Sequence, residues 1–224
     1  NIIFEEESNL TIIGNYSFYG CSKLKSIIFN EQTNLIMIGD FALSSCSNLE
    51  TISFCGCNQL KSISIPSSIK YFKDFCFCNC SKLENITFEE ESNLTIIGES
   101  TFYRCSNLET ISIPSSVSKI GNKAFYNCSN LENITFEKES NLTNIGESTF
   151  YRCCNLESIS IPLLVSEIGK EAFFECSNLR NVTFEEESNL TNIGESTFYG
   201  CCNLETISIP SSVSKIGNKA FYNC

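Results

Sequence analysis

A cysteine recurs along this chain at intervals that leave little choice of architecture. The pattern Cys-x-x-Leu-x-x-Ile/Val-x-Phe/Ile has its cysteine at Cys80, Cys105, Cys128, Cys153, Cys176 and Cys201, and Cys224 stands where the next copy begins. The intervals alternate between 25 and 23 residues, so the larger unit is 48 residues long, and Pro66, Pro114, Pro162 and Pro210 fall 48 apart. A unit of this size cannot bury its own apolar face. Copies must stack so that each covers the next, which makes a solenoid and argues against a single-core enzyme domain.

Within a turn, Leu108, Ile111 and Ile113 have the spacing of inward positions on a short strand, with Thr110 and Ser112 on the opposite face. Pro114 lacks a backbone donor and ends that strand. A second extended piece, Val117 to Ile120, runs into Gly121, which is expected to supply a turn conformation that a side chain would hinder. Four residues after the glycine comes an aromatic and seven after it the cysteine; Gly98, Phe102 and Cys105 repeat this, as do Gly146, Phe150 and Cys153, and Gly194, Phe198 and Cys201. The length difference between alternate turns lies in the connector. The longer kind is acidic, as in Phe88-Glu89-Glu90-Glu91-Ser92-Asn93-Leu94, and the shorter is Ile113-Pro114-Ser115-Ser116-Val117. Ten strands at about 4.8 Å separation would give a rod or arc roughly 45 Å long.

Two places depart from the pattern. Cys46 and Cys57 are only 11 residues apart, yet Leu49 to Phe54 and Leu60 to Ile65 both read as the strand, so a discontinuity is expected there. The chain also begins inside a strand motif and stops at a ladder cysteine, which suggests an excerpt of a longer array, since solenoids need polar caps. The expectation is therefore a single array over residues 1–224, irregular near 46–80, with about ten stacked turns on one parallel sheet.

The run from Cys105 to Cys128, with Ile113-Pro114-Ser115-Ser116-Val117-Ser118-Lys119-Ile120-Gly121-Asn122-Lys123-Ala124-Phe125 at its centre, closely resembles the BspA-like leucine-rich repeats of anaerobic bacteria and parasitic protists. The likeness covers nearly the whole chain. It lapses at Phe72-Lys73 in place of Ile-Gly, at Leu43 in place of the aromatic, and across the 11-residue repeat. The resemblance implies display at a cell surface, or secretion, and adhesion to host matrix or to other microbes.

Composition narrows the chemistry. There are 15 Lys plus Arg against 26 Asp plus Glu, a net charge of -11, which opposes binding to nucleic acid or to an anionic membrane. Histidine is absent, which removes the usual general base, the Ser and Cys triads and most zinc sites; catalysis is not expected, nor is a cofactor or metal ion. The fifteen cysteines allow three readings. The first is a core ladder of reduced thiols packed as small apolar groups. The second is an all-thiolate metal site among Cys55, Cys57, Cys76, Cys78 and Cys80, for which Cys-x-Cys is the wrong spacing for the common ribbon sites. The third is disulfides, confined to extras such as Cys154 and Cys202 beside the ladder. The ladder is the reading adopted.

Glu5 to Glu7, Glu89 to Glu91 and Glu185 to Glu187 suggest cation sites. Acidic loops on alternate turns would sit roughly 10 Å apart, where unit charges in water repel by only about 0.4 kcal/mol, so a solvated ridge suffices. Ten Asn-x-Ser/Thr sequons are copied with the repeat and do not by themselves establish secretion. The outward strand positions are more informative: Thr51 and Ser53, Ser62 and Ser64, Asn85 and Thr87, Thr110 and Ser112, Asn133 and Thr135, Ser158 and Ser160, Asn181 and Thr183, and Thr206 and Ser208. They form a strip without one charge. Either small polar residues are simply tolerated on such a sheet, or Thr110, Ser112, Asn133, Thr135, Ser158, Ser160, Asn181 and Thr183 belong to a surface that binds a host or microbial surface protein or glycan. The competing functions are a spacer without a ligand and a hydroxyl ladder for an ordered lattice, the latter opposed by Asn in every second turn.

Overall fold

The computed structural model describes residues 1–5, 8–29 and 34–224. These form short strands and turns, without a helix, in a parallel solenoid. Each regular turn has two sides. One carries the strand of the leucine motif, such as Thr110–Ile113, and the other a two-residue strand, such as Lys119–Ile120, followed by a tight corner. Pairing is parallel throughout, with Thr110 to Ile113 in register with Asn133 to Phe136, and Ile120 with Ile145. Leu108, Leu131, Leu156 and Leu179 are all fully buried in one column, and the cluster they belong to runs from Ile13 to Ala220.

The corners explain the aromatic and the cysteine. Ten phenylalanines, Phe4, Phe29, Phe54, Phe77, Phe102, Phe125, Phe150, Phe173, Phe198 and Phe221, stack ring on ring with centroids 4.1 to 5.4 Å apart. Beside this stack each ladder thiol donates to the phenylalanine carbonyl of the preceding turn: Cys105 to Phe77, Cys128 to Phe102, Cys153 to Phe125, Cys176 to Phe150 and Cys201 to Phe173, at 3.0 to 3.2 Å. Each of these carbonyls already accepts a backbone N–H of its own turn, as Phe102 does from Cys105 at 3.0 Å, so the thiol adds a weak second donor across the turns as well as filling space. None of these five cysteines is in a disulfide.

The glycine column does not supply the expected turn conformation. Gly98, Gly121, Gly146, Gly169 and Gly194 are not in the left-handed region; among the described glycines only Gly20, Gly56 and Gly200 have positive φ. What the column requires is room. A Cβ on Gly169 would lie 2.7 Å from the Gly146 carbonyl carbon and 2.8 Å from the Glu147 nitrogen, both backbone atoms of the neighbouring turn. The left-handed positions of the corners are instead taken by side-chain-bearing residues such as Lys123, Asn127, Ser148 and Arg152. Gly169→Ala is therefore expected to push two turns apart and cost about 3 kcal/mol, with the loss read as a lower urea midpoint. An unchanged midpoint would mean that the turns can separate without penalty.

The 11-residue interval exchanges the two sides of the solenoid. Strand Thr51–Ser53 runs straight into Phe54-Cys55-Gly56-Cys57, which is already a corner, so this copy supplies one side of a turn and no second strand. The next leucine-motif strand, Ser62–Ile65, then lands on the two-residue strand Met37–Ile38, with Met37 paired to Ser62. On the other side Phe77, a corner residue, stacks on Phe54, a strand-end residue. The leucine-motif strands are accordingly divided. The first three, Ile2–Phe4, Ser26–Phe29 and Thr51–Ser53, form a three-stranded sheet, and the rest join Ile12–Ile13 and Met37–Ile38 in a nine-stranded sheet. The core tolerates the exchange because both sides carry the same apolar word. Ser92-Asn93-Leu94-x-x-Ile97 on one side matches Ser106-Asn107-Leu108-x-x-Ile111 on the other, and at the junction Leu35 and Leu60 are both fully buried.

Candidate functional site

The nine-stranded sheet turns one face to the core and one to solvent. Ile111, Ile113, Ile134, Ile159, Ile161 and Val182 are buried, while the alternate residues Thr110, Ser112, Asn133, Thr135, Ser158, Ser160, Asn181 and Thr183 are all exposed. Hydrogen-bonded register places them side by side: Thr110 with Asn133, Ser112 with Thr135, Asn133 with Ser158, Ser158 with Asn181 and Ser160 with Thr183. The outcome is two parallel rows of short donors and acceptors held at strand spacing by a rigid sheet. No deep cavity is needed for such a surface, and a shallow furrow on it is lined by Asn133, Thr135, Ser158, Ser160 and Glu185.

The strip differs in extent from its sequence description. Thr51 and Ser53 lie in the three-stranded sheet and are not part of it. In their place the outward row continues from Ser62 to Met37 and then to Ile12, 41% and 54% exposed, so one end of the strip is apolar. The strip is also bordered by charge. The residue after each ladder leucine forms a row of its own, in which Glu132 donates its backbone N–H to Glu109, Glu157 to Glu132 and Arg180 to Glu157, and all four side chains are exposed. Strict alternation hides this border, because two consecutive residues such as Glu109 and Thr110 both face outward.

The acidic connectors do more than face solvent. Glu89 accepts from the backbone N–H of Ser67 at 3.0 Å, Glu137 from Ser115 at 2.9 Å and Glu185 from Leu163 at 3.1 Å. Each of those N–H groups directly follows a proline, at a point where the strand ladder has ended, so the carboxylate supplies the missing acceptor across one turn. Glu89 also accepts from the Ser44 hydroxyl. The middle members Glu90 and Glu186 are exposed, and the last ones, Glu91, Glu139 and Glu187, have φ of 56 to 59°. Glu6 and Glu7 lie outside the described residues. Among the described residues no group of three or more His, Cys, Asp or Glu is placed to hold a metal ion. Of the clustered cysteines, Cys57 and Cys80 are in the core ladder, whereas Cys55 and Cys78 occupy a different column.

That column is the second feature the sequence reading passed over. Tyr103, Tyr126, Tyr151, Phe174, Tyr199 and Tyr222 stack with centroids 4.6 to 5.0 Å apart and planes within 15° of parallel. Arg104 and Arg152 lie over the rings of Tyr103 and Tyr151, and Arg152 pairs with Glu175 at 2.6 Å. Neighbouring rings cover one another's faces, so the ladder offers ring edges to solvent and is ill-suited to stacking on a sugar. The signal was the aromatic that follows each corner phenylalanine. Burial pushes the thiols of Cys76, Cys105, Cys128, Cys153, Cys176 and Cys201 above the ordinary cysteine range, which keeps these six protonated and unreactive at neutral pH.

A family profile described as a BspA type leucine rich repeat region matches six copies, over residues 1–54, 52–157 and 95–224. Among solved structures, a leucine-rich repeat protein from Eubacterium ventriosum is 25% identical with a TM-score of 0.69, covering 100% of this chain and 64% of its own. One from Bacteroides ovatus is 28% identical with a TM-score of 0.62, covering 96% of this chain and 68% of its own. The pneumococcal vaccine antigen PcpA, at 18% identity and a TM-score of 0.52 over 96% of this chain and 70% of its own, shares the fold. This chain thus spans about two thirds of the length of these structures. No curated protein matches the sequence.

Proposed function

Because the chain belongs to the BspA-type leucine-rich-repeat family, we propose that it is a binding array, displayed at a cell surface or secreted, that engages a host or microbial surface protein or glycan through the uncharged strip. The fold is one typical of bacterial surface proteins, and leucine-rich repeats generally mediate protein interactions. The observation that carries the reading is the in-register exposure of Thr110, Ser112, Asn133, Thr135, Ser158, Ser160, Asn181 and Thr183 on one rigid sheet. A long partner meeting many weak contacts at fixed spacing gains through effective concentration, so affinity should rise with repeat number.

A spacer without its own ligand is the second reading, and it draws support from the phenylalanine stack, which passes through the exchange of sides without a gap and would stiffen a rod. Binding to arrays of matrix proteins and of glycans separates the two. Lysine at Thr110, Ser112, Asn133, Thr135, Ser158 and Ser160, in a variant with unchanged circular dichroism, is expected to weaken binding at least about tenfold, equivalent to about 1.4 kcal/mol. Glu90→Gln with Glu186→Gln, which spares the carboxylates that hold backbone groups, is expected to leave binding intact. The opposite pair of results would move the site to the acidic connectors, and no binding to either array would favour the spacer.

A further inference from the structure

Cys55 and Cys78 stand one above the other across the exchange of sides. Phe54 donates its N–H to the Cys76 carbonyl and Gly56 donates to the Cys78 carbonyl, both at 2.7 Å, while the rings of Phe54 and Phe77 stack at 5.4 Å and 9°. This register sets residue 55 directly over residue 78. The same column continues downward, since Asn79 donates to the Tyr103 carbonyl, and from there the side chains of Tyr103 and Tyr126 point the same way with their rings 5.0 Å apart. Neighbouring parallel rungs lie about 4.8 Å apart, within the roughly 4.4–6.8 Å between Cα atoms that a disulfide spans.

The surroundings single this pair out from the ladder. Ladder thiols are fully buried. Cys55 is half-buried, within reach of a small oxidant, Cys78 behind it is 7% exposed, and neither is in a disulfide. The location matters too. The three-stranded sheet ends at Thr51–Ser53 and the seven-stranded sheet begins at Tyr71–Phe72, so strand pairing is interrupted between them on this side. A covalent link here would bridge the place where the backbone ladder is thinnest.

We propose that Cys55 and Cys78 are a disulfide-forming pair that clamps the two parts of the solenoid together in an oxidising compartment. The oxidant class is a small-molecule disulfide. The Cys55 thiolate attacks one of its sulfurs and expels a thiolate; the Cys78 thiolate then attacks the Cys55 sulfur of the mixed disulfide and expels the second. Two protein thiols are oxidised to one disulfide, one small disulfide is reduced to two thiols, and the two protons pass to the leaving thiolates. This pairing does not depend on the binding function of the strip.

The test uses oxidised glutathione on the folded chain, followed by alkylation, digestion and mass mapping. A Cys55–Cys78 link is expected, absent in Cys55→Ser and in Cys78→Ser and retained in Cys76→Ser, with the ladder cysteines recovered unlinked. Closing this loop should raise the melting temperature by about 5 °C over the reduced protein, a shift that Cys55→Ser lacks. A link between Cys57 and Cys80 or between Cys55 and Cys76 would overturn the assignment. So would glutathione held stably on Cys55 with Cys78 alkylated.

Discussion

Taking the reduced chain from about pH 8 to about pH 10 is expected to destabilise it steeply. In the fold, burial raises the thiols of Cys76, Cys105, Cys128, Cys153, Cys176 and Cys201 above their ordinary range, so they stay protonated. In the unfolded chain the same groups ionise from about pH 8.5 upward. The unfolded state then binds fewer protons than the folded one, and stability, full below that pH, falls as pH rises. Each such thiol contributes a slope of about 1.4 kcal/mol per pH unit, and six together set an upper bound of about 8 kcal/mol per unit. Against a typical total stability of about 5–15 kcal/mol, that is enough to unfold the array within one or two units. Urea midpoints at successive pH values under reducing conditions measure the effect. Replacing Cys128 by alanine should lower the slope by about 1.4 kcal/mol per unit, whatever it does to the neutral-pH midpoint. A midpoint flat to pH 10 would show that the ladder thiols ionise in place.

Phe125→Ala should be the most damaging single truncation among the regular turns, at about 4 kcal/mol. The ring is fully buried and stacks on both Phe102 and Phe150, at 5.1 and 5.4 Å, so its removal opens a cavity with a neighbour missing on either side. Tyr126→Ala, in the half-exposed outer ladder, should cost about half as much, because solvent can occupy part of the space. A solenoid gains stability largely through contacts between adjacent turns, so the phenylalanine variant is also expected to melt in two steps. Fluorescence from tryptophans placed on either side of residue 125 would register them separately. Coincident melts with equal loss in both variants would mean that the inner stack is no more than the outer one.

The family and the core were legible because both are written within one turn. Leu108, Ile111, Ile113, Phe125 and Cys128 are inward at intervals that repeat, and a repeated interval is a direct readout of which way a side chain faces. The glycines were misread for a related reason. Sequence spacing put glycine at residue 121 and at all but one of its equivalents, where Lys73 stands, but a left-handed turn and a close neighbour make the same demand on a sequence, and only the distances to the adjacent turn distinguish them. The roles of Glu89, Glu137 and Glu185 were hidden similarly, since their partners are backbone N–H groups 22 residues away.

The sequence by itself determined the turn: its length, its apolar positions, its uncharged outward pair and its cysteine and phenylalanine columns. Only the tertiary structure decided which side of one turn rests on which side of the next. Both sides carry the same Leu-x-x-Ile word, so either could stack on either, and the choice is set by the chain length between them. The 11-residue interval supplies half a turn, the sides exchange, and residues of two different sequence positions enter one row. That is why Ile12 and Met37, and not Thr51 and Ser53, continue the outward strip from Ser62, and why Cys55 meets the column of Cys78 and Tyr103.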